Sequence, residues 1–307
     1  MTHSSPIVLL VYCIHILLLP LLLVGIIRST KARLQNRRGP SVLQPFWDIF
    51  KQIRKGETVS DTTTWLFRLT PVVNLAILVT VSLMVPWLGL PSPVQGDLFL
   101  VIYLLVMGKF LASLSSLDAG SAFGALGASR EASVSIQSEP AMLVALVVLA
   151  FRAQSSSFNV IFEHAPSQFY SFIILPLISV SIALTIMADL ARMPFDDPTT
   201  HLELTMIHEA RILENSGRNL ALVELASSLK LALLLGIFVQ AVLAAVPMVS
   251  LWMDYILTII LLLVTAAALG VVETLLVKLR WRRIPNLLSF ALAASLLACM
   301  VVSMRGR

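Results

Sequence analysis

The sequence has few charged residues and few cysteines. Only 13% of its 307 residues are charged, whereas 58% are apolar, and the mean hydropathy is +0.90. Cys13 and Cys299 each lie alone in an apolar run, so neither an iron–sulfur cluster nor a structural zinc site is predicted in this chain. Glycine-rich phosphate loops and internal repeats are also missing, which disfavours nucleotide chemistry and a stand-alone secondary transporter. A chain this apolar is predicted to be a polytopic membrane protein.

Apolar runs long enough to cross a membrane recur along the chain. A helix needs about 20 mostly apolar residues to cross a hydrocarbon core of roughly 30 Å. The sequence therefore predicts an all-α fold with eight transmembrane helices in a single membrane domain over residues 1–307. The predicted spans are 6–27, 71–90, 98–117, 140–155, 168–189, 219–246, 251–275 and 285–304.

Lys and Arg fall mostly on one side of these spans. Of the 22 basic residues, nine lie in 28–68, three in 189–218, four in 278–283 and one is Arg130. Positively charged short loops stay in the cytoplasm, so both termini are predicted to be periplasmic or extracellular in an inner-membrane protein. The first span is interpreted as a retained helix and not as a signal peptide. The net charge of +5 then reflects topology and contact with the lipid bilayer, and no nucleic-acid partner is predicted.

Four cytoplasmic loops follow from this topology. They are predicted at about 28–70, 118–139, 189–218 and 278–284. In the first loop, Pro45 suits the first turn of a helix, and apolar residues follow at helical spacing: Phe46, Ile49, Phe50 and Ile53. Two interpretations of this amphipathic helix stay open, a basic anchor on anionic lipid headgroups or a docking surface for a soluble subunit.

The second and third loops differ in character. Gly120, Gly124 and Gly127 predict low helical order in the second loop and close approach of another backbone, such as that of a partner. The third loop is rich in carboxylates and contains two histidines, His201 and His208. Seven residues apart, they would be separated by about 10.5 Å on a helix, so a shared metal ion is not predicted.

Charged residues also occur inside the predicted spans. Lys109 lies in the third span, and Glu224 and Lys230 lie in the sixth. Glu273 is near the end of the seventh span, where it is expected to extend to the interface. A charge near the membrane centre costs on the order of 2.5–3.5 kcal/mol, so such residues relay protons or form structural ion pairs between helices. Both interpretations stay open at this point.

Three motifs together resemble a known family. They are the run from Arg33 to Pro40 with Leu43-Gln44-Pro45, Arg130 with Glu139, and Arg192-Met193-Pro194-Phe195-Asp196 through Glu203. In combination they resemble the membrane heel subunit shared by respiratory complex I and group 4 membrane-bound [NiFe] hydrogenases. Thr199 and His201 stand where the complex I pattern has glutamates, whereas 127–132 and Lys230 are similar to formate hydrogenlyase subunit 4 and hydrogenase-4 component C. The resemblance therefore favours the hydrogenase branch.

That branch implies a membrane-anchoring and proton-path subunit of a formate hydrogenlyase-like complex. It would dock a cytoplasmic hydrogenase arm and couple its redox chemistry to proton or ion translocation. The implied partners are a [NiFe] large subunit, a [4Fe-4S] small subunit and antiporter-like membrane subunits, with no catalytic residue and no cofactor in this chain. A quinone-chamber subunit of a complex I-like NADH:quinone oxidoreductase is the alternative. A related complex whose large subunit lacks nickel ligands also stays open.

The resemblance also implies specific residues. For the proton path these are Glu139, Asp189, Asp196, Glu203, Glu214, Glu224 and Lys230, and for docking they are Arg33, Arg37, Arg38, Arg130 and Arg192. Two simpler explanations compete for two of them. Glu203 and Thr200 have capping-box spacing, and Glu139 before Pro140 suits the first turn of a helix. The hypothesis is that Asp196 and Glu203 register the redox state of the docked subunit while Glu139 and Glu224 conduct protons.

Overall fold

The computed structural model describes residues 6–163, 169–196, 206–247 and 250–305. Within those ranges the chain is built from helices joined by turns and short loops. In chain order the helices are α1 Pro6–Leu34, α2 Gln44–Ile53, α3 Trp65–Met84, α4 Leu98–Asp118, α5 Ala122–Ala153, α6 Phe158–Ile161, α7 Leu175–Asp189, α8 His208–Ile212, α9 Gly217–Leu243, α10 Leu251–Leu275 and α11 Ile284–Arg305. A π-helical turn at Tyr170–Ile174 leads into α7, and a 3₁₀ turn at Trp281–Arg283 leads into α11.

Eight membrane spans are present in the described part of the chain. They are α1, α3, α4, α5, α9 and α10, together with Phe172–Asp189 and Trp281–Met304. The predicted all-α, eight-span architecture is therefore confirmed. The amphipathic helix predicted at Pro45 is also present as α2, with the proline in its first turn.

The prediction of a loosely ordered second loop was wrong, because α5 already begins at Ala122. The Ser121 hydroxyl accepts the Gly124 N–H at 3.0 Å, which caps the new helix. The predicted close backbone approach does occur, but within this chain. A Cβ added to Gly127 would lie 2.6 Å from the backbone nitrogen of Arg211 in α8. The cap and this packing offset the helix penalty of glycine, which is about 1 kcal/mol per residue.

The central helix of the bundle is α9. It packs against α1, α3, α7, α10 and the short α2, while α5, α7 and α11 form one flank and α1 and α10 form the other. Small residues permit these close contacts. A Cβ added to Gly236, for example, would lie only 2.6 Å from the Cβ of Trp87, which is too close for any larger residue. Glu224 and Lys230 of α9 therefore lie inside the bundle and not against lipid.

Exposed tryptophans mark both ends of the bundle. Trp47, Trp65 and Trp281 are 64%, 72% and 45% exposed at one end, and Trp252 is 55% exposed at the other. Tryptophan is enriched at membrane–water interfaces, so these residues mark the two boundaries of the bilayer. We call the first end the charged side, because the segments 35–64, 190–196, 206–216 and 276–283 lie there.

Candidate functional site

A charged cavity opens where α7 ends. Asp189, the last residue of α7, pairs with Lys109, which lies nine residues, or about 14 Å of helix rise, before the end of α4. Because α7 stops short of its neighbours on the charged side, a cavity of about 360 Å³ remains there. We call it the charged cavity. Its ionisable lining residues are Arg28, Lys31, Asp48, Lys109, Glu131, Asp189, Arg192, Asp196, His208, Glu209, Arg211, Glu224, Lys230 and Glu273.

Four alternating charges form the floor of this cavity. The Lys109 ammonium lies 3.0 Å from Glu139 Oε1 and also pairs with Asp189, whose Oδ2 is 2.7 Å from the Lys230 ammonium. We call Glu139, Lys109, Asp189 and Lys230 the floor cluster. Both lysines lie at the carboxyl end of α7, where the helix dipole favours positive charge. Two cations and two carboxylates in contact compensate each other, which explains how they persist at membrane depth.

Glu139 lies in the interior of α5, not in its first turn, so the dipole explanation does not apply to it. Its side chain is 30% exposed and also faces a second, mainly apolar cavity of about 50 Å³. Lys109 and Asp189 line both cavities. The floor cluster therefore separates the charged cavity from a smaller space between α4, α5, α7 and α9.

The rim of the charged cavity is held by further ion pairs. Glu273 is 5% exposed and lies 3.0 Å from the Arg192 guanidinium and 3.5 Å from the Lys31 ammonium. The expectation that Glu273 extends to the interface was wrong, because two cations bind it inside the bundle. On the other wall, Arg211 of α8 pairs with Glu131 of α5 at 2.8 Å.

Asp196 joins three separate segments. Its Oδ2 accepts the backbone N–H groups of Ile207 at 2.8 Å and His208 at 3.2 Å, at the start of α8. Its Oδ1 lies 3.0 Å from the Lys278 ammonium, and the nearby Pro194 carbonyl accepts the N–H of Leu279. Asp196 is 1% exposed. It therefore fixes α8 to the segment that follows α10.

His208 faces the cavity among positive charges. Burial, followed by the charges of Arg211, Lys230 and Arg192, lowers the pKa of its imidazole to about 3. The Arg211 guanidinium lies 3.2 Å from His208 Nδ1, which fits a neutral ring that accepts a hydrogen bond. His208 is thus uncharged at neutral pH.

A pH prediction follows for His208. The pKa of His208 is lowered from 6.5 in the unfolded chain to about 3 in the folded protein. Between these two values the unfolded chain binds a proton that the folded protein does not. The free energy of unfolding is therefore unaffected by His208 above pH 6.5 and falls as pH falls from 6.5 toward about 3. Replacing it in a His208→Gln variant should flatten the acid-side loss of stability by up to about 1 kcal/mol per pH unit. Thermal unfolding of both proteins over a pH series measures the difference. Identical acid-side slopes would contradict the assignment.

Two cavity carboxylates stand apart from these ion pairs. Among the residues that the structure describes, Glu209 and Glu224 have no ion-pair partner. Burial, and then the charges of Glu224 and Asp196, raise the pKa of Glu209. Glu224 accepts a hydrogen bond at 3.0 Å from the Gln52 amide of α2. These two carboxylates are the cavity groups least committed to a fixed cation.

The structure gathers most of the predicted proton-path residues in one place. Glu139, Asp189, Asp196, Glu224 and Lys230 line the charged cavity or its floor cluster. Glu214 is not among the cavity-lining residues. Glu203 lies outside the described residues, as do Thr199, Thr200 and His201.

The predicted docking arginines fall into two groups. Arg33 in the last turn of α1 and Arg37 and Arg38 in the loop before α2 are exposed on the charged side. Arg130 instead donates to the Met206 carbonyl at 3.1 Å, and Arg192 pairs with Glu273. Only the first three are therefore free to contact another chain through their guanidinium groups.

Several site residues were missed from sequence. Lys109 was recognised as a charge within a span but was not among the predicted site residues, although that signal could have identified it. Glu131 and Arg211 carry no such signal, since they meet only because α5 and α8 pack together. Gln52 lies on an amphipathic helix whose inner face could not be distinguished before the fold was known. Glu209 lies in the acidic third loop, but its spacing gave no reason to select it.

On α9, the run of polar side chains toward the opposite side of the bundle ends at the floor cluster. On α9 the next long polar side chain after Lys230 is Gln240, about 15 Å further along the helix. Leu233, Leu234 and Ile237, all at most 2% exposed, fill the space between. Gln240 bonds Thr258 of α10, both buried. An apolar layer along α9 thus separates Lys230 from the opposite side of the bundle.

No metal centre is found in the part of the chain that the structure describes. Groups of three or more His, Cys, Asp or Glu side chains able to hold a metal ion are absent among those residues. The charged cavity is large enough to hold water beside its carboxylates.

Comparisons with known proteins agree with this architecture. Residues 7–304 match the NADH dehydrogenase family. Formate hydrogenlyase subunit 4 of Escherichia coli is 36% identical over 71% of each chain. Hydrogenase-4 component C of Escherichia coli is 32% identical over 75% of this chain and 73% of that protein.

A solved structure shares the fold. A chain of the membrane-bound sulfane sulfur reductase, an archaeal respiratory membrane complex, superimposes with a TM-score of 0.82 over 96% of this chain and 97% of its own length, at 18% identity. The family match extends over nearly the whole chain and covers all eight spans, apart from Pro6 at the start of the first. This chain therefore belongs to the NADH dehydrogenase family of membrane subunits, together with formate hydrogenlyase subunit 4 and hydrogenase-4 component C.

Proposed function

We propose that this chain is the membrane-anchoring and proton-path subunit of a formate hydrogenlyase-like, group 4 [NiFe] hydrogenase complex. The observation that carries the proposal is the charged cavity, which runs from the charged side to the floor cluster. Its partners would be a [NiFe] large subunit, a [4Fe-4S] small subunit and antiporter-like membrane subunits. The identities to two hydrogenase-complex subunits support this branch of the family.

The proposed proton route begins at Glu209 and Glu224. A proton taken up by Glu209, whose raised pKa favours the protonated form, passes through cavity water to Glu224. Water occupies roughly 30 Å³ per molecule in the liquid, so the 360 Å³ cavity holds several. Ser227 and Ser228, one turn beyond Glu224, line the next part of the cavity. The proton then reaches the floor cluster.

From the floor cluster, the proposed proton route runs to the side of the bundle and not to its opposite end. The apolar layer between Lys230 and Gln240 closes the direct path to the opposite side. Glu139 is the most exposed member of the floor cluster, at 30% of its side chain. A membrane partner subunit packed beside α4 and α5 would receive the proton from Glu139. Redox changes in the docked arm would drive this transfer by moving the segment that Asp196 holds against α8.

The quinone-chamber alternative fits this cavity less well. Pockets for organic ligands are lined mainly by apolar and aromatic side chains, with few polar groups. The charged cavity instead receives ionisable side chains from every helix that lines it except α3, beside its apolar lining residues. Inhibitors that bind quinone sites should therefore leave electron transfer by the complex unchanged, whereas strong inhibition would favour the alternative.

In this proposal the charged side faces the cytoplasm of a cell with the protein in its inner membrane. Most Lys and Arg residues lie on that side, as the positive-inside rule requires. An even number of spans then places both termini in the periplasm. The exposed Arg33, Arg37 and Arg38 would contact the soluble arm.

An Arg37→Ala/Arg38→Ala double variant tests the docking assignment. We expect the soluble subunits to be lost from purified membranes at least tenfold more readily, because two exposed cations leave the contact surface. Immunoblotting of membrane and soluble fractions measures this. The matched control is Arg282→Ala/Arg283→Ala, which removes the same charge elsewhere on the charged side. A double variant that retains the soluble subunits would exclude this docking role.

A further inference from the structure

The short helix α2 has an inner face that belongs to the charged cavity. Pro45 and Ile49 are buried against the bundle and line that cavity. Asp48 pairs with Arg28 of α1 at 3.3 Å, and the Gln52 amide donates to Glu224 of α9 at 3.0 Å. The position of α2 therefore decides whether Glu224 keeps its hydrogen-bond donor.

The outer face of α2 exposes large apolar side chains beside basic ones. Leu43, Trp47, Phe50 and Ile53 are 55%, 64%, 47% and 49% exposed. Their spacing of three and four residues aligns them in one stripe along the helix. Basic residues flank this stripe and are also exposed: Lys51, Arg54 and Lys55. The Arg54 guanidinium lies 4.0 Å from the centre of the Phe50 ring.

Its neighbours place α2 at the bilayer boundary. It packs on α1 and α9, next to their charged-side ends, and Trp65 at the start of α3 marks the interface on the same side. A helix that combines an apolar stripe with flanking Lys and Arg lies in the interface, with its basic groups at the headgroups. The acidic residue of α2, Asp48, is paired with Arg28, and its side chain is 36% exposed. The exposed charges that flank the apolar stripe are therefore mainly positive.

We propose that the outer face of α2 binds the headgroups of anionic phospholipids. The apolar stripe enters the acyl boundary, and Lys51, Arg54 and Lys55 pair with the phosphates. This binding holds α2 against α9 and keeps Gln52 on Glu224. The last consequence rests on the proposed proton path, whereas lipid binding does not.

Lipid binding is measured on the intact complex after removal of lipid in detergent. Phosphatidylglycerol is titrated in, and the bound lipid is counted by native mass spectrometry at low and high salt. The test variant is Lys51→Gln/Arg54→Gln/Lys55→Gln, and the matched control is Arg280→Gln/Arg282→Gln/Arg283→Gln. We expect the α2 variant to bind phosphatidylglycerol roughly tenfold to a hundredfold more weakly, with a smaller salt dependence. The control should bind as the wild type does.

Other outcomes overturn the proposal. Equal loss in both variants, or no loss in either, would show that the basic residues of α2 form no lipid site. Unchanged lipid binding with release of the soluble subunits would assign the face to a protein partner instead. If the triple variant does not assemble, Trp47→Ala serves in its place, since it weakens the apolar stripe without changing charge. Unaltered phosphatidylglycerol binding by that variant would also contradict the proposal.

A separate measurement tests whether lipid binding at α2 affects proton movement through Glu224. The wild-type complex is placed in liposomes of phosphatidylcholine, with and without phosphatidylglycerol, and proton movement per turnover is recorded. We expect less proton movement per turnover without phosphatidylglycerol, and the same low value in both liposomes for Gln52→Leu. Equal coupling of the wild type in both liposomes would remove the link while leaving the lipid site in place. Loss of coupling in Glu224→Gln with normal lipid binding separates the two proposals.

Discussion

An Asp189→Asn variant should lose about 3–5 kcal/mol of stability and the coupling of turnover to proton movement. The change keeps the size of the side chain but leaves Lys109 and Lys230 without their shared carboxylate. Two ammonium groups would then lie close together at membrane depth, where unpaired charge is costly. Thermal unfolding of the purified complex measures the stability. Proteoliposomes report the coupling.

A second substitution separates the two effects. In Asp189→Asn/Lys230→Met one cation is removed with the carboxylate, so the floor cluster regains its charge balance through Lys109 and Glu139. We expect most of the stability to return, while proton movement stays low because the relay lacks Asp189. Asp189→Glu, which keeps the charge, should retain both properties. A single Asp189→Asn variant as stable as the wild type would contradict the structure of the floor cluster.

A Glu224→Gln variant should lower proton movement per turnover by on the order of tenfold or more while the complex still assembles. Glutamine keeps the size and a hydrogen bond to Gln52, but it cannot carry a proton. Because Glu224 has no ion-pair partner among the described residues, no cation is left unpaired by the change. Simultaneous recording of electron transfer and internal pH in proteoliposomes measures the effect.

The matched control for Glu224 is Glu214→Gln. Both residues are glutamates near the charged side, but Glu214 does not line the charged cavity. The control should therefore move protons as the wild type does. Equal losses in the two variants would extend the path beyond the cavity, as the family resemblance implied. Loss of assembly in Glu224→Gln would give Glu224 a structural role instead.

Much of the fold was predictable because the membrane limits the choices. Apolar runs of span length predicted eight helices, and the sequence around Pro45 predicted α2, since both depend on local composition. The second loop was not predicted correctly. Its glycines predicted low helical order, whereas packing of Gly127 against α8 makes helix favourable there. Such packing depends on residues more than 80 positions apart.

The site was predictable in part for the same reason. Charges within spans pointed to Lys109, Glu224 and Lys230, because membrane burial makes any charge notable. Their pairing was not predictable, since it depends on where α7 ends relative to α4 and α9. Glu273 shows the limit most clearly. Its position near a span end suggested exposure, but Lys31 and Arg192 bind it inside the bundle.

The claim that this chain seats a cytoplasmic hydrogenase arm is tested most directly by its partners. The complex is extracted in mild detergent through a tag on this chain, and the co-purifying chains are identified by mass spectrometry. We expect a large subunit with two Cys-x-x-Cys pairs able to bind nickel, a small iron–sulfur subunit and antiporter-like membrane subunits. A large subunit without those cysteine pairs would exclude hydrogen chemistry, and the absence of any soluble redox partner would contradict the docking role itself.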